Sequence, residues 1–403
     1  MGSLSAGFII IILSTIVIVS YLFSILSNYI KVPSVLLLLL TGVAARYVSD
    51  QQGWGVVIPE KVVELLGAVG LVMIVFEAGL DLRLAKNKVS LIRNSFFAAM
   101  FVFLLSVAGI SSVLLFWLHE TPIKCIIYAI PLSIMSSSIV IPSLQSLSEA
   151  KKEFLVYEAS FSDIIGIVFF NYCLGSEIVT FHAIGGFFLN IAFALILSLL
   201  FSILLFLILA RSPVTIKFFL VFALLILLYE GGKMLGLPSL FIILIFGLLM
   251  KNWDLLNIPV INKLFPLKEV DETNKYLQSI TMETSFLVKT FFFLIFGFSI
   301  DIHVIAQSEV ILIGSIIIGV LWLARFLYLK YLIRGSVYPE VIFIPRGLVT
   351  IVIFYQIPDA FKLSTFNNGI LFYIILVTSL IMMIGLLFYK KKTSGSSHEI
   401  LKM

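Results

Sequence analysis

Between Glu158 and Asp163 the sequence reads EASFSD, and it continues as IIGIVFF. Two carboxylates therefore stand in a stretch otherwise made of aliphatic and aromatic side chains. Glu158 and Ser162 are four residues apart and share one face of a helix, whereas Asp163 points about 140° away from Glu158. Different surroundings separate the proton affinities of two carboxylates, so one can be pinned by a cation while the other titrates. The cations able to pin one lie far along the chain: Arg325 in LWLARFLYLKYL and Arg346 in IPRGLVT. Arg325 is midway along an apolar run, cannot easily reach water, and needs an acid. Glu158 is the partner we assign to it, which gives a fixed, charge-neutral pair. Arg346 either neutralises the carbonyls of an interrupted helix or binds an acid elsewhere. One titratable carboxylate, Asp163, then remains, beside the hydroxyls of Ser162 and of Ser136, Ser137 and Ser138 in PLSIMSSSIVIP. Such an all-oxygen site suits a hard monovalent cation. A lone carboxylate holds a proton or that cation but not both well, and competition at one site gives exchange. The bland alternative is a protonated, structural Asp163 bonded to another helix. Glu77 lies near a helix end, where snorkelling and a place in the ion path are equally open.

The cost of these charges depends on the medium around them. The chain has 403 residues, 61% of them hydrophobic and 12% charged, with a mean hydropathy of +1.16. A soluble chain of this length needs far more charge to cover its surface. The apolar residues fall in blocks of about 17–25, the length that spans a bilayer as a helix. Strict alternation is absent, which argues against a barrel. The expected fold is an all-α polytopic membrane protein with thirteen spans, at 6–27, 33–48, 62–80, 94–118, 123–147, 153–174, 181–210, 214–230, 236–250, 282–300, 308–334, 340–356 and 367–390. With the N-terminus outside, and with cations at span ends counted with the adjoining segment, the inner segments hold 19 Lys and Arg and the outer segments 5, and the other 3 of the 27 lie deeper within spans. That asymmetry predicts an outside N-terminus and a cytoplasmic C-terminus. The net charge of +5 is thus a topology signal, and no nucleic-acid partner is implied.

FEAGLDL (Phe76–Leu82) closes span 3 and FGFSIDI (Phe296–Ile302) closes span 10, at a spacing of 220 residues. The same seven-span offset relates PLSIMSSSIVIP in span 5 to IPRGLVT in span 12, and each interrupts an apolar helix. An odd offset reverses orientation in the membrane, so the repeat is inverted. Inverted repeats with one broken helix in each half point to a secondary transporter binding its substrate near the midplane, because freed backbone groups are tolerated there only around a cavity or inside protein. Cys125 and Cys173 lack metal or redox spacing, His119, His182, His303 and His398 are scattered, and the chain holds no His-Glu-x-x-His and no phosphate-cradling Gly loop with a Lys. No catalytic constellation supports an intramembrane enzyme, and no long tail supports signalling. An ion-coupled symporter of a small organic solute on the same fold is the alternative function, and few polar residues are present to build its pocket.

Together these motifs resemble those of the monovalent cation/proton antiporters, or sodium/proton exchangers. FEAGLDL resembles the family's acidic third helix, EASFSD its Glu-x-x-x-Asn-Asp signature, LARFLYLKYL its arginine helix, and PRGLVTIVI its Arg-Gly crossing helix. FFFLIFGFSIDI is also typical, and the likeness runs in order along essentially the whole chain. The resemblance implies the inverted-repeat antiporter fold with two crossing discontinuous helices, spans 5 and 12, and no cofactor. It implies a single transmembrane domain over 1–390, followed by a short tail at 391–403. Within that domain, a static dimerisation part (about 1–80 and 181–300) serves a mobile core (about 62–174 and 282–390) that moves as an elevator, the two overlapping at spans 3 and 10. It implies a lipid-embedded homodimer in a bacterial inner membrane, ion and proton binding at Asp163, and a Glu158–Arg325 pair. The branch with a single binding Asp is electroneutral, and Ser162 adds no second charge. Ser136–Ser138 replace the Thr-Asp-Pro of many exchangers, which removes a carboxylate. Na⁺ is the first expectation for the cation, ahead of Li⁺ and K⁺.

Overall fold

A computed structural model describes residues 6–30, 32–53, 56, 58–84, 88–174, 189, 192–193, 196–201, 203–204, 218–234, 239–252, 267–333, 337–363 and 365–389. Among the described residues the regular structure is entirely helical. The main helices are α1 (Ala6–Ile30), α2 (Ser34–Gln51), α3 (Glu60–Asp81), α4 (Val89–Leu118), α5 (Pro122–Ser133), α6 (Glu149–Cys173), α7 (Phe218–Met234), α8 (Ser239–Lys251), α9 (Leu267–Phe298), α10 (Ser308–Leu327), α11 (Leu348–Tyr355) and α12 (Gly369–Phe388). The expected span at 181–210 and the tail at 391–403 lie mostly or wholly outside the described residues. Each other expected span contains a described helix, and among the described residues seven stretches are long and apolar enough to cross a membrane. α9 begins at Leu267, well before the expected start at 282, because its first half, LKEVDETNKYLQSIT, is polar and helix-forming. Only the part from Lys275 onward is apolar enough to cross a membrane.

The chain forms two compact units. The first comprises residues 1–67, 94–163 and 287–403, and the second residues 68–93 and 164–286. Within the first, α1 packs on α2, α5 on α11, and α10 on α12. The Ser20 and Thr290 hydroxyls meet at 2.5 Å and tie α1 to α9. α2 and α9 touch backbone to backbone at Gly42 and Gly297: a Cβ on Gly42 would strike the Leu294 carbonyl and come within 2.8 Å of the Phe298 amide. Membrane helices lack a hydrophobic drive to associate and gain from such close approach. Much of α1 stays bare, with Ile10, Ile11 and Ile18 each about 60% exposed, as suits a helix whose solvent is lipid.

In the second unit α7 packs on α8, and α3 crosses α8 at Gly79 and Gly247, where a Cβ on Gly79 would lie 2.7 Å from the Leu244 carbonyl. Phe76 and Phe246 stack beside this crossing, ring centres 5.4 Å apart. Asn252 closes the end of α3 by donating to Leu82 O at 2.7 Å and accepting from Leu84 N at 2.6 Å. These bonds satisfy backbone groups that a helix end leaves open. The FEAGLDL and FGFSIDI motifs both end helices: Asp81 is the last residue of α3, and Asp301 follows α9 and accepts from the His303 amide at 2.9 Å.

Candidate functional site

The contacts that build the site lie inside the first unit. α5 stops at Ser133, residues 134–136 are extended, and a helical turn resumes at Ser137 (Ser137–Val140), followed by a 3-10 segment (Ile141–Ser146). The interruption therefore falls between the two prolines of PLSIMSSSIVIP, since Pro131 is still helical and Pro142 sits in the 3-10 segment. Near the other end of the chain, a 3-10 turn (Glu340–Ile342) leads into extended residues 343–347 and then α11. The two breaks meet, because the Ser136 amide donates to Pro345 O at 3.0 Å. Gly347 makes this approach possible: a Cβ there would collide with Ser136 Oγ and come within 2.9 Å of Ile139 Cδ1. Its φ of −158° is ordinary extended backbone, so space alone demands the glycine.

α6 lays Ser162 and Asp163 against the first of these breaks. Ser162 Oγ accepts from the Met135 amide at 2.9 Å, which satisfies a backbone donor freed by the break. Asp163 Oδ2 accepts from Ser137 Oγ at 2.5 Å. The carboxylate is 5% exposed, and its other oxygen, Oδ1, is buried with no hydrogen-bond partner among the described residues. Ser136 and Ser138 share a hydroxyl bond at 2.9 Å. One turn before Ser162 on the same face of α6, Glu158 receives a two-pronged grip from Arg325 of α10, with Nη1 to Oε1 at 2.8 Å and Nη2 to Oε2 at 2.9 Å. Both side chains are 1% exposed. The planar guanidinium fork matches the carboxylate, which is why Arg suits a dry pair.

Arg346 meets backbone carbonyls. Its Nε donates to Leu132 O at 2.6 Å and its Nη1 to Ile344 O at 3.2 Å, while its own amide donates to Thr378 Oγ1 of α12 at 3.2 Å. Leu132 lies in the last turn of α5, where carbonyls carry partial negative charge and a cation is favoured. The side-chain contacts of Arg346 are thus with backbone carbonyls at both breaks. A cavity of about 10 Å³, room for about one water, is bordered by Ser133, Met135, Glu158, Ser162, Arg325 and Arg346, with Ala99, Val102 and Phe103 as part of its apolar wall. Glu77, half-buried near the end of α3, belongs to the second unit.

Residues 12–389 match the family described as "Sodium/hydrogen exchanger, transmembrane". The chain belongs to that family. Two solved structures agree in fold, both of the sodium proton antiporter MjNhaP1 from Methanocaldococcus jannaschii. One, described at pH 8, superposes with a TM-score of 0.71 at 18% identity, over 95% of this chain and 99% of that one. An electron-microscopy map of the same protein gives 0.66 at 18% identity, over 96% and 100%. No curated protein sequence matches. Membership makes the exchanger an integral membrane transporter of cations and protons rather than an enzyme, in a family that works without a cofactor.

The exchanger also holds a largely shielded pair that sequence patterns do not identify. Glu340, 7% exposed, takes Lys151 of α6 on both carboxylate oxygens, at 2.8 and 2.9 Å. Lys151 reads in sequence as one more inner-loop cation, and Glu340 as the first residue of a span. Thr378 is missed as well, because one Thr in an apolar run carries no signal of what it bonds.

Proposed function

We propose that the exchanger carries a monovalent cation, Na⁺ ahead of Li⁺ and K⁺, in one direction and H⁺ in the other, one for one, by competition at Asp163. The observation that carries this reading is the half-satisfied carboxylate. A buried oxygen without a partner costs free energy, and either a proton or a desolvated cation relieves that cost. Ser137 holds the group in place, and the hydroxyls of Ser136, Ser138 and Ser162 together with the opened backbone of spans 5 and 12 supply neutral oxygen around it. The neighbouring cavity, with room for about one water, favours a small ion over an organic solute. Na⁺ is favoured by the likeness to a protein described as a sodium proton antiporter.

Glu158 and Arg325 form the structural pair in this scheme, Arg346 holds the crossing together, and Glu77 of α3 is a candidate member of the ion path. Exchange proceeds by an elevator step, in which a core of about residues 62–174 and 282–390 moves against a dimerisation part of about 1–80 and 181–300 in a homodimer. The N-terminus faces outside and the C-terminus the cytoplasm, an orientation supported by the 19-to-5 distribution of basic residues, and the membrane proposed is a bacterial inner membrane.

The test uses the full chain in proteoliposomes with a pH-sensitive dye inside. An imposed Na⁺ gradient moves protons in the native protein, and Asp163→Asn, which keeps the shape but cannot ionise, abolishes the flux. Normal exchange by Asp163→Asn removes Asp163 from the site.

A further inference from the structure

The Lys151–Glu340 pair has no place in the exchange scheme, yet it sits at a junction. Lys151 Nζ contacts both oxygens of Glu340 and donates as well to Tyr338 O at 3.3 Å. The Tyr338 hydroxyl in turn donates to Gly385 O of α12 at 2.5 Å. The Glu340 carbonyl accepts from Arg325 Nε at 2.5 Å, and the same guanidinium grips Glu158. Lys151 and Glu158 are seven residues apart on α6, two turns, and so lie on one side of that helix. The segment entering the second break is thus held to α6 directly through Lys151 and again through Arg325 and Glu158.

That segment leads to the site. Five residues after Glu340, the Pro345 carbonyl receives the Ser136 amide. The next residue, Ser137, donates to Asp163, which is back on α6. The path from Lys151 through Glu340, Pro345, Ser136 and Ser137 to Asp163 is therefore a closed circuit of contacts that begins and ends on one helix. Its two anchor points are twelve residues apart, about 18 Å along the axis. A neutral pair at that distance exerts little direct electrostatic effect on Asp163. It does fix where the extended segment lies along α6, and hence how Ser136 and Ser137 meet the carboxylate.

We propose that Lys151 and Glu340 are a positioning pair that sets cation affinity by holding the second break in register with α6. The inference rests on Asp163 being the exchange site. Outer partners that orient binding groups typically change affinity or activity by about ten- to a hundredfold when lost, although their removal creates no clash.

The experiment compares native protein, Lys151→Met, Glu340→Gln and the charge swap K151E/E340K in proteoliposomes at one fixed pH, reading the KM for Na⁺, the maximal rate and the Li⁺-to-Na⁺ rate ratio. Each single variant raises KM about tenfold and shifts the Li⁺-to-Na⁺ ratio, with the maximal rate within about twofold of native, and the swap brings KM back toward native. A native KM in both folded single variants overturns the proposal. So does a loss confined to the maximal rate, or a swap no better than the single variants. Where Lys151→Met and Glu340→Gln do not fold, Lys151→Arg and Glu340→Asp decide the matter: they keep the charges but alter reach, so a raised KM supports positioning and an unchanged KM overturns it. Absence of Na⁺-driven proton flux in the native protein overturns the exchange reading itself, a result distinct from any of these.

Discussion

Replacing Arg325 by Met removes three buried hydrogen bonds at once. Two of them serve Glu158 at 2.8 and 2.9 Å, and the third serves the Glu340 carbonyl at 2.5 Å. Met fills a similar volume, so the change is one of charge rather than of a hole. What remains is a carboxylate 1% exposed with its cation gone. Breaking a buried pair from one side costs about 3–5 kcal/mol. At about 1.4 kcal/mol per tenfold, the folded-to-unfolded ratio falls by between about a hundredfold and a few thousandfold. Removing both charges has the opposite logic: Glu158→Leu with Arg325→Met leaves no stranded ion, and such replacements are often neutral or stabilising by about 1–4 kcal/mol. The Glu340 carbonyl loses its Arg325 donor in the double variant but keeps the Phe343 amide at 3.2 Å, at a cost of about 0.5–1.5 kcal/mol. The double variant therefore lies well above the single one and near the native protein. The assay is reversible unfolding in mixed micelles of native, Arg325→Met, Glu158→Leu and the double variant, closed as a double-mutant cycle. A double variant as unstable as Arg325→Met refutes the reasoning, because the loss then resides in the carbonyl contact or in packing rather than in an unpaired charge.

Three further outcomes follow from the same geometry. Competition at one carboxylate means that protons displace the cation, so the apparent KM for Na⁺ rises as pH falls, approaching about tenfold per unit in the acid range; a pH-independent KM in proteoliposomes contradicts a shared site. Ser137→Ala removes a charge-assisted hydrogen bond to Asp163 worth about 1.5–3 kcal/mol. The cation then competes less well with the proton, and the pH of half-maximal exchange moves up by about one unit or more; an unchanged profile shows that the hydroxyl does not favour the ionised group. Gly347→Ala places a methyl against Ser136 and within 2.9 Å of Ile139 Cδ1, which costs about 1–3 kcal/mol of overpacking and separates the two breaks. Exchange is lost while helix content is kept, and normal flux in this variant shows that the breaks need not touch.

The apolar blocks, the inverted repeat and the two interruptions are legible because each follows from a local rule: length across a bilayer, odd spacing, and residues that break a helix. Sequence locates the second break near Pro345 and Gly347 but not the register with which it meets Ser136, since a backbone bond between residues about 200 apart leaves no local pattern. The start of α9 is misplaced for a related reason, as its polar first half is helical without being apolar. Glu158 and Arg325 stand out because a charge in the middle of an apolar run is expensive. Lys151 and Glu340 lie at the ends of such runs, where charge is cheap, and nothing in composition separates a solvated end residue from one 7% exposed.

The electrical behaviour of exchange follows from counting the charges around Asp163. Among the described residues of the first unit, the charged side chains of this network are Glu158, Asp163, Arg325, Glu340 and Arg346, with Lys151 closing on Glu340. Glu158 is neutralised by Arg325 and Glu340 by Lys151. Arg346 sits on carbonyls, and its charge enters this count as constant. When Asp163 is ionised its charge offsets that of Arg346, and the group as a whole is neutral. When Asp163 holds a proton or a monovalent cation, the group carries one positive charge in either case. On the proposed competition at Asp163, the two loaded states would be electrically alike, and a one-for-one cycle would move no net charge. A second ionisable carboxylate where Ser162 stands would break that equality, because one proton-loaded and one cation-loaded state could then differ in charge. Replacing Ser162 by Asp is therefore the single change in this network best placed to make the flux respond to membrane potential, and an imposed potential that already drives exchange in the native protein rules out a charge-balanced cycle at one carboxylate.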